Sequence, residues 1–334
     1  MTATWFHDLF GFEEHTYDGT RKNLEVVGTT LRSKVNQRSY AIGELTTPSV
    51  RDLREQAAPL VGTLQGRLTV SSISGDVRRM HADPANRNAL FQVASQFNLL
   101  EMSGPDVTPE DGVTRYAHDR TQGPACALAA GAATVYRNYF VPVSGRIGQA
   151  RDRQIDCLRD VGAELGNDRN ELWTMRNGYA QCTKKGLEII ADKLEGCDAD
   201  GVDRIRDLVR IGIHKRVQVT DVQGEHLVSQ AFCSGLPVSY SDVSPKHWKS
   251  FAVLVLEAAY EATLWAAVVN AHDSGCRVLF LTQLGGGAFG NEPEWIDGAM
   301  RRALAKVMGV ALDVRLVSYG RPDAAIERLV AEFR

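Results

Sequence analysis

The feature that most constrains this sequence is an apolar strand that runs into a glycine-rich loop and then into a helix. The strand is predicted over 277–282 and the helix over 297–307. Between them stand Gly285, Gly286, Gly287, Ala288, Phe289, Gly290 and Asn291. Glycine can adopt the positive φ that a concave row of backbone N–H groups requires, and it leaves room for an oxyanion. We therefore expect a phosphate site at the carboxyl end of a strand, beside a helix N-terminus.

This loop differs from two common nucleotide-binding patterns. It matches neither G-x-G-x-x-G nor G-x-x-x-x-G-K-[ST], and no lysine is placed to reach a terminal phosphate. The sequence therefore disfavours a kinase or an ATPase. A tight turn with a purely structural role is the alternative interpretation.

Strand, loop and helix segments alternate along much of the chain. Further strands are predicted at 67–73, 89–95, 217–220, 226–236 and 313–318, and the longest helix at 251–270. We expect a mixed α/β sheet covered by helices on both faces. Residues 1–65 are predicted to be an N-terminal extension, and 66–334 a single domain with a helical insertion at about 145–212. On the long helix, Glu257 and Glu261 are expected to form an exposed face.

Composition and charge disfavour several classes of function. The 38 basic and 41 acidic residues give a net charge of −3, so no broad electrostatic attraction to nucleic acid or to an anionic membrane is expected. Six scattered cysteines without a C-x-x-C pair indicate reduced thiols, and with no apparent secretory signal we expect a cytoplasmic protein. The dispersed histidines match no metal-binding pattern, so we expect neither a metal nor a cofactor.

A second polar region follows the strand predicted at 89–95. Gln96 and Asn98 come directly after this strand, and their amides can hydrogen-bond sugar hydroxyls. The long loop beyond them contains possible acid–base groups and cations, namely Arg115, His118, Asp119 and Arg120. An ordinary solvated loop is the alternative. We expect residues 112–124 and 285–291 to face one cleft.

Together the two regions resemble the macrodomain family, which binds ADP-ribose. Residues 95–98 stand where the family has Asn-Ala-Ala-Asn, and Gly112, Val113, His118 and Gly123 fall in step with its first loop. Residues 285–291 are similar to its second loop, above all in macrodomain-like poly(ADP-ribose) glycohydrolases. The Asn-Ala-Ala-Asn sequence and the glycohydrolase Gly-Gly-Gly…Glu-Glu signature are absent, and Thr114 stands where many hydrolytic macrodomains have aspartate.

The resemblance implies a macrodomain-like fold and an ADP-ribose-recognising hydrolase that cleaves an ADP-ribosyl linkage on a protein, a nucleic acid or a small nucleotide. It implies that the second loop holds the diphosphate, Phe289 lies near the ribose, Asn98 contacts the distal ribose and Asp76 holds the adenine amino group. The remaining predicted substrate-binding residues are Gln96, Gly112, Val113, Thr114, Arg115, Arg120 and Gly123. A non-catalytic module that binds ADP-ribose or a signal nucleotide is the alternative.

Asp119 is the predicted catalytic carboxylate, with Asn98 and His118 beside it. It is the nearest carboxylate after Gly112 in the first loop, and Arg120 next to it would keep it ionised. We expect it to orient water at the distal ribose.

The sequence leaves the roles of two further features undecided, namely Cys126 and residues 173–179. Cys126 is predicted in the first turn of a helix, where the helix dipole lowers a thiol pKa. A cysteine hydrolase with Gln122 at the oxyanion and His226 or His214 as base is therefore a second alternative. The aromatic and polar cluster at 173–179 is either a lid that stacks an adenine or a helix–turn–helix junction.

Overall fold

The computed structural model describes residues 4–334. Within them the α-helices are α1 (Trp5–Phe10), α2 (Tyr17–Lys22), α3 (Val50–Val61), α4 (Val77–Ala82), α5 (Gln122–Ala129), α6 (Gly131–Tyr139), α7 (Arg159–Leu165), α8 (Lys184–Glu195), α9 (Ala199–Arg206), α10 (Pro245–Ser274), α11 (Pro293–Lys306) and α12 (Ala324–Glu332). The strands are β1 (Leu24–Val27), β2 (Thr30–Ser33), β3 (Ser39–Ala41), β4 (Glu44–Thr46), β5 (Thr69–Ser74), β6 (Leu90–Ala94), β7 (Pro142–Val143), β8 (Arg146–Ile147), β9 (Trp173–Arg176), β10 (Tyr179–Cys182), β11 (Gly212–Gln218), β12 (Leu227–Cys233), β13 (Val278–Leu281) and β14 (Asp313–Ser318).

A seven-stranded mixed sheet organises the chain. Its strand order is β4-β11-β12-β6-β13-β14-β5. The strands from β12 to β5 are mutually parallel, whereas β11 pairs antiparallel with both β12 and β4. The carboxyl ends of five parallel strands therefore meet along one edge, which is where α/β proteins bind ligands.

Helices cover both faces of this sheet. Successive residues of a strand point to opposite faces. In β6 the ring of Phe91 stacks on His81 of α4, with centroids 3.7 Å apart, while the amide of Gln92 donates to Thr263 of α10 at 3.1 Å. The helices α4 and α10 thus lie on opposite sides of the sheet. The predicted fold class, a mixed α/β sheet covered on both faces, is confirmed.

The predicted boundary near residue 65 does not coincide with the edge of the sheet. β1, β2 and β3 form a small antiparallel sheet of their own. β4, however, pairs with β11 in the main sheet, and α3 packs against α10. Residues 44–61 thus contribute a strand and a helix to the main α/β layers.

The segment at 145–212 contains strands as well as helices. β9 and β10 form a hairpin with Tyr179 paired to Arg176, so the cluster at 173–179 is not a helix–turn–helix junction. The predicted helical insertion is therefore only partly helical: its helices are α7, α8 and α9, and residues 146–158 form none.

The helix α10 is the core of the layer that also contains α3 and α11. By length and composition this helix could cross a membrane, but 83% of its most apolar 18-residue stretch is buried inside the protein. The expected exposed acidic face is wrong at Glu261, whose side chain is fully buried. This carboxylate accepts from Arg54 of α3 at 2.7 Å and from Arg302 of α11 at 2.6 Å. A buried charge is tolerated here because it is paired on two sides.

Neutralising Glu261 is expected to destabilise the fold. Burial raises its pKa, but hydrogen bonds from Arg302 and Arg54 outweigh this, and the pKa is lowered to about 2. A lowered carboxyl pKa stabilises the protein above the unfolded value and loses that effect as pH falls towards the folded one. Glu261→Gln should therefore lower the free energy of unfolding at pH 7 by about 3 kcal/mol. Chemical denaturation between pH 2 and pH 7 measures this, and the difference from wild type should shrink as pH falls.

The matched control is Glu55→Gln, an exposed position on α3. It should change stability by less than about 0.5 kcal/mol. Equal effects of the two variants would contradict a stabilising role for the Glu261 pairs.

Candidate functional site

A crevice opens where β6 and β13 separate. The two strands pair only at Leu90 with Leu279 and at Phe91 with Phe280, whereas β6 continues beside β12 as far as Ala94. Beyond Phe91 the gap is bridged by a side chain, since Gln92 Oε1 accepts from the N–H of Thr282 at 3.3 Å. The carboxyl ends of the two central strands are thus held apart.

The crevice leads into a cleft with two connected compartments. Thr121, Gln122, Thr282, Gln283 and Gly287 line both compartments. The aromatic compartment has about 760 Å³ of space, part of it open to solvent, and its walls include Gln96, Met102, Asp119, Tyr179, Tyr240 and Phe289. The outer compartment has about 1420 Å³, also partly open, and its walls include Asp76, Arg120, Ile296, Tyr319 and Arg321. The cleft therefore has two ends with different linings.

The glycine loop forms one wall at the junction of the compartments. The backbone N–H groups of Gly285, Gly287, Ala288 and Phe289 donate to no acceptor among residues 4–334. Gly285 has φ +73 and Gly290 φ +68, and Asn291 closes the loop by donating from its backbone N–H to Gly285 O at 3.0 Å. Free N–H groups on an accessible concave loop form an anion-binding nest.

The N-terminus of α5 contributes another part of the cleft wall. Thr121 precedes the helix but makes no side-chain cap. Its N–H and hydroxyl instead donate to Asp119 Oδ1 at 2.8 and 2.7 Å. The N–H groups of Gln122 and Gly123 have no acceptor in the described part of the chain. An uncapped helix N-terminus carries partial positive charge and attracts anions.

A side chain from the N-terminal region fills the first part of the predicted loop. The carboxylate of Glu14 accepts from the N–H groups of Val113 and Thr114 at 2.8–3.0 Å and from Thr114 Oγ1 at 2.7 Å. Tyr139 also donates to it at 2.7 Å. These donors are therefore occupied within the protein itself.

The expectation of one common cleft therefore holds only in part. Of the two predicted loops, only residues 119–124 and 285–289 line the cleft. Five predicted site residues do not line the cleft, namely Gly112, Val113, Thr114, Arg115 and His118. His118 is exposed at the end of a short 3-10 helix.

Asn98 is also displaced from its predicted role. It is completely buried, its Nδ2 donates to Gln154 at 2.8 Å, and its Oδ1 accepts from the N–H of Leu100 at 3.1 Å. It therefore shapes the loop beneath the cleft and does not contact a ligand there. Gln96 does line the aromatic compartment. Its amide is used to bind Met102 N and Tyr179 Oη at 2.6 and 3.4 Å.

The structure excludes Cys126 as a nucleophile. The residue is completely buried, and burial raises the pKa of its thiol well above the usual value. His214, one proposed base, is likewise buried, and burial lowers its pKa well below the usual value. The thiol packs as a small apolar group, which is the common role of a buried cysteine. The cysteine-hydrolase alternative is therefore wrong.

A buried ion pair supports the floor of the aromatic compartment. Arg137 donates to both carboxylate oxygens of Glu101 at 3.2 and 3.3 Å and to Leu99 O at 3.0 Å. Both charged side chains are fully buried. Burial raises the pKa of Glu101 to about 7, although Arg137 opposes the shift. Sequence reasoning missed this pair, although Glu101 stands out as an acid within an apolar run.

Sequence reasoning pointed to Phe289 and to the cluster that contains Tyr179, but it missed Tyr240 and the contact that joins the three rings. Tyr179 comes from the hairpin of β9 and β10, Tyr240 follows β12, and both contact Phe289, with ring centroids 5.3 and 5.7 Å apart. These three residues are far apart in the sequence. Within residues 4–334 no cluster of His, Cys, Asp and Glu could hold a metal ion.

Comparisons with known proteins give distant structural likenesses only. No protein-family model and no curated protein matches the chain. The fold is similar to that of poly(ADP-ribose) glycohydrolase from Thermomonospora curvata, at 12% identity over 94% of both chains with a TM-score of 0.43. It is also similar to the glycohydrolase from Deinococcus radiodurans in complex with ADP-ribose, at 12% identity over 87% of this chain and 95% of that chain, with a TM-score of 0.47. Likenesses this distant carry no argument about function, which must come from the cleft itself.

Replacing Glu14 tests whether residues 112–115 have a structural or a ligand-binding role. Glu14→Ala removes the acceptor of two backbone N–H groups and two hydroxyls, so it should cost about 1–3 kcal/mol of unfolding free energy. Affinity for ADP-ribose should stay within a few fold of wild type. Thermal unfolding and calorimetric titration measure the two effects, with Glu13→Ala as the exposed neighbouring control. A large loss of affinity without a loss of stability would return residues 112–115 to the binding site.

Proposed function

We propose that this chain binds ADP-ribose in the cleft and hydrolyses an ADP-ribosyl linkage. The observation that carries the proposal is the row of free N–H groups at Gly285, Gly287, Ala288 and Phe289, which lines the same cleft as the uncapped start of α5. Two such groups of donors suit the two phosphates of a diphosphate. The lysine expected of a kinase or ATPase is absent from this loop.

The two compartments then accommodate the two ends of the ligand. The outer compartment would take the adenosine, because Asp76 lines it and has one carboxylate oxygen to spare. Its Oδ1 accepts from the N–H of Arg78 at 2.8 Å, while Oδ2 has no partner among the described residues. The aromatic compartment would take the distal ribose, with Phe289 beside it.

Asp119 is the best candidate for the catalytic carboxylate. It lines the aromatic compartment and is partly exposed. Its Oδ1 holds the turn at Thr121, whereas Oδ2 has no partner in the described chain and can hold a water molecule or a ribose hydroxyl. Glu101, the other carboxylate of this compartment, is held by Arg137 beneath the floor.

A binding module without catalysis is the second candidate. It is favoured by the position of Asn98 and His118 outside the cleft, which leaves Asp119 without the two predicted helpers. The carrier of the ADP-ribose is not specified by the diphosphate site. The two candidates share the same ligand and differ only in turnover.

Blocking the glycine loop tests the shared ligand. A Cβ at Gly287 would meet nothing within 4 Å, and its φ is not in the left-handed region, so Gly287→Val should fold normally while adding a branched side chain to a residue that lines both compartments. We expect affinity for ADP-ribose to fall by ~10²-fold, because the side chain displaces the phosphate from the nest. Calorimetric titration with ADP-ribose, ADP and AMP measures this.

The matched control is Gly309→Val, which also meets open space and lies outside the cleft. It should bind like wild type. Millimolar or absent binding of ADP-ribose by the wild type, or equal binding by both valine variants, would rule out the nucleotide site.

Removing the charge of Asp119 separates catalysis from binding. Asp119→Asn keeps Oδ1 as the acceptor for Thr121, so the turn should survive. Turnover should fall by ~10²-fold or more while affinity changes only a few fold. Release of ADP-ribose from poly(ADP-ribose) and from ADP-ribosylated peptides measures turnover, with Asp168→Asn as the exposed control. Normal turnover in Asp119→Asn would place the base elsewhere. A wild type that binds ADP-ribose but turns over no substrate would support the binding module.

A further inference from the structure

The aromatic compartment has a wall of three rings. Tyr179, Tyr240 and Phe289 contact one another, with centroids 5.1–5.7 Å apart. Tyr179 is only 1% exposed, and its hydroxyl donates to Met102 O at 2.7 Å, so it fixes the other two rings from behind. Tyr240 is 39% exposed and Phe289 is half-buried, so these two present ring surface to the cleft. A flat group can stack there.

Among the described residues, the cationic side chains of the cleft all lie in the outer compartment, which also contains Asp76 and Asp323. The described residues that line the aromatic compartment include Asp119 and Glu101 but no lysine, arginine or histidine. Both arginines of the cleft, Arg120 and Arg321, line the outer compartment. Since Arg137 neutralises Glu101 beneath the floor, the accessible charge beside the rings is the carboxylate of Asp119. Such a combination attracts a cation to the ring faces.

The same wall suits a polar carrier poorly. A sugar hydroxyl or a neutral ester beyond the ribose would need hydrogen-bond partners in place of its water. Gln96 lines this compartment, but its Oε1 already accepts from the N–H of Met102 and its Nε2 donates to Tyr179 Oη. A phosphate beyond the ribose would meet the carboxylate of Asp119. Stacking on the rings and attraction to the Asp119 carboxylate are therefore the interactions that favour a flat cation at this end of the cleft.

We propose that the aromatic compartment selects ADP-ribose whose anomeric carbon carries a planar cation. The pyridinium of NAD⁺ and the guanidinium of an ADP-ribosylated arginine share this chemistry. The inference rests on the proposed diphosphate site and adds the class of group attached to the distal ribose. Tyr240 is its specificity-determining residue, because it is the most exposed of the three rings.

Titration with NAD⁺ and NADH isolates the charge, since the two molecules have nearly the same shape and only NAD⁺ carries the pyridinium cation. We expect NAD⁺ to bind ~10-fold more tightly than NADH. Tyr240→Leu should remove this preference, Tyr240→Phe should keep it, and ADP-ribose affinity should stay within a few fold in both. Tyr319→Leu, at a residue 85% exposed in the outer compartment, is the control for loss of an aromatic residue elsewhere in the cleft. Chromatography of the samples checks that NAD⁺ is intact.

A second arm distinguishes the two cations. Peptides that carry ADP-ribose on arginine or on serine are compared, and tighter binding of the arginine form supports the guanidinium as a ligand. If ADP-ribose binds but neither NAD⁺ over NADH nor arginine over serine is preferred, this inference is wrong while the proposed function stands. A preference that survives Tyr240→Leu would also overturn it. If ADP-ribose itself fails to bind, both proposals fall.

Discussion

The side-chain amide of Gln122 is the contact on which the site depends. Its Oε1 accepts from the N–H of Ala94 at 2.8 Å and its Nε2 donates to Gln92 O at 2.7 Å. The amide thus replaces a missing strand partner at the end of β6, where β13 has already separated. Because Gln122 is also the first residue of α5, the same two bonds hold the uncapped helix N-terminus at the mouth of the crevice. The end of β6 and the start of α5 are thereby held together.

Other buried polar contacts keep this arrangement rigid. Tyr260 of α10 donates to Thr282 O at 2.7 Å and accepts from the N–H of Leu284 at 2.8 Å, so the long core helix fixes the strand end that leads into the glycine loop. Asn291 ties the far end of the loop to Leu236 O at 2.8 Å. A loop supported at both ends can present free N–H groups at little entropic cost when a ligand binds. The unpaired N–H groups therefore belong to a loop that is held rigidly at both ends.

The glycine loop could be predicted from sequence because its determinants are local. Positive φ at glycine and an apolar strand before it are properties of neighbouring residues. The first loop could not be predicted in the same way. The acceptor of its N–H groups, Glu14, is 99 residues from Val113. Likewise, Glu261 pairs with Arg54, 207 residues away, so its burial is not visible in the helical pattern.

The aromatic wall and the position of Asn98 could not be predicted for the same reason, because both depend on residues that are distant in the sequence. Tyr179, Tyr240 and Phe289 meet only through the tertiary fold, and Asn98 is taken up by Gln154. A crystal structure with bound ADP-ribose tests the central claim most directly. The account predicts diphosphate oxygens within ~2.7–3.2 Å of the backbone nitrogens of Gly287, Ala288 or Phe289, facing the start of α5. A diphosphate bound away from these nitrogens, or no bound nucleotide at saturating concentration, would contradict it.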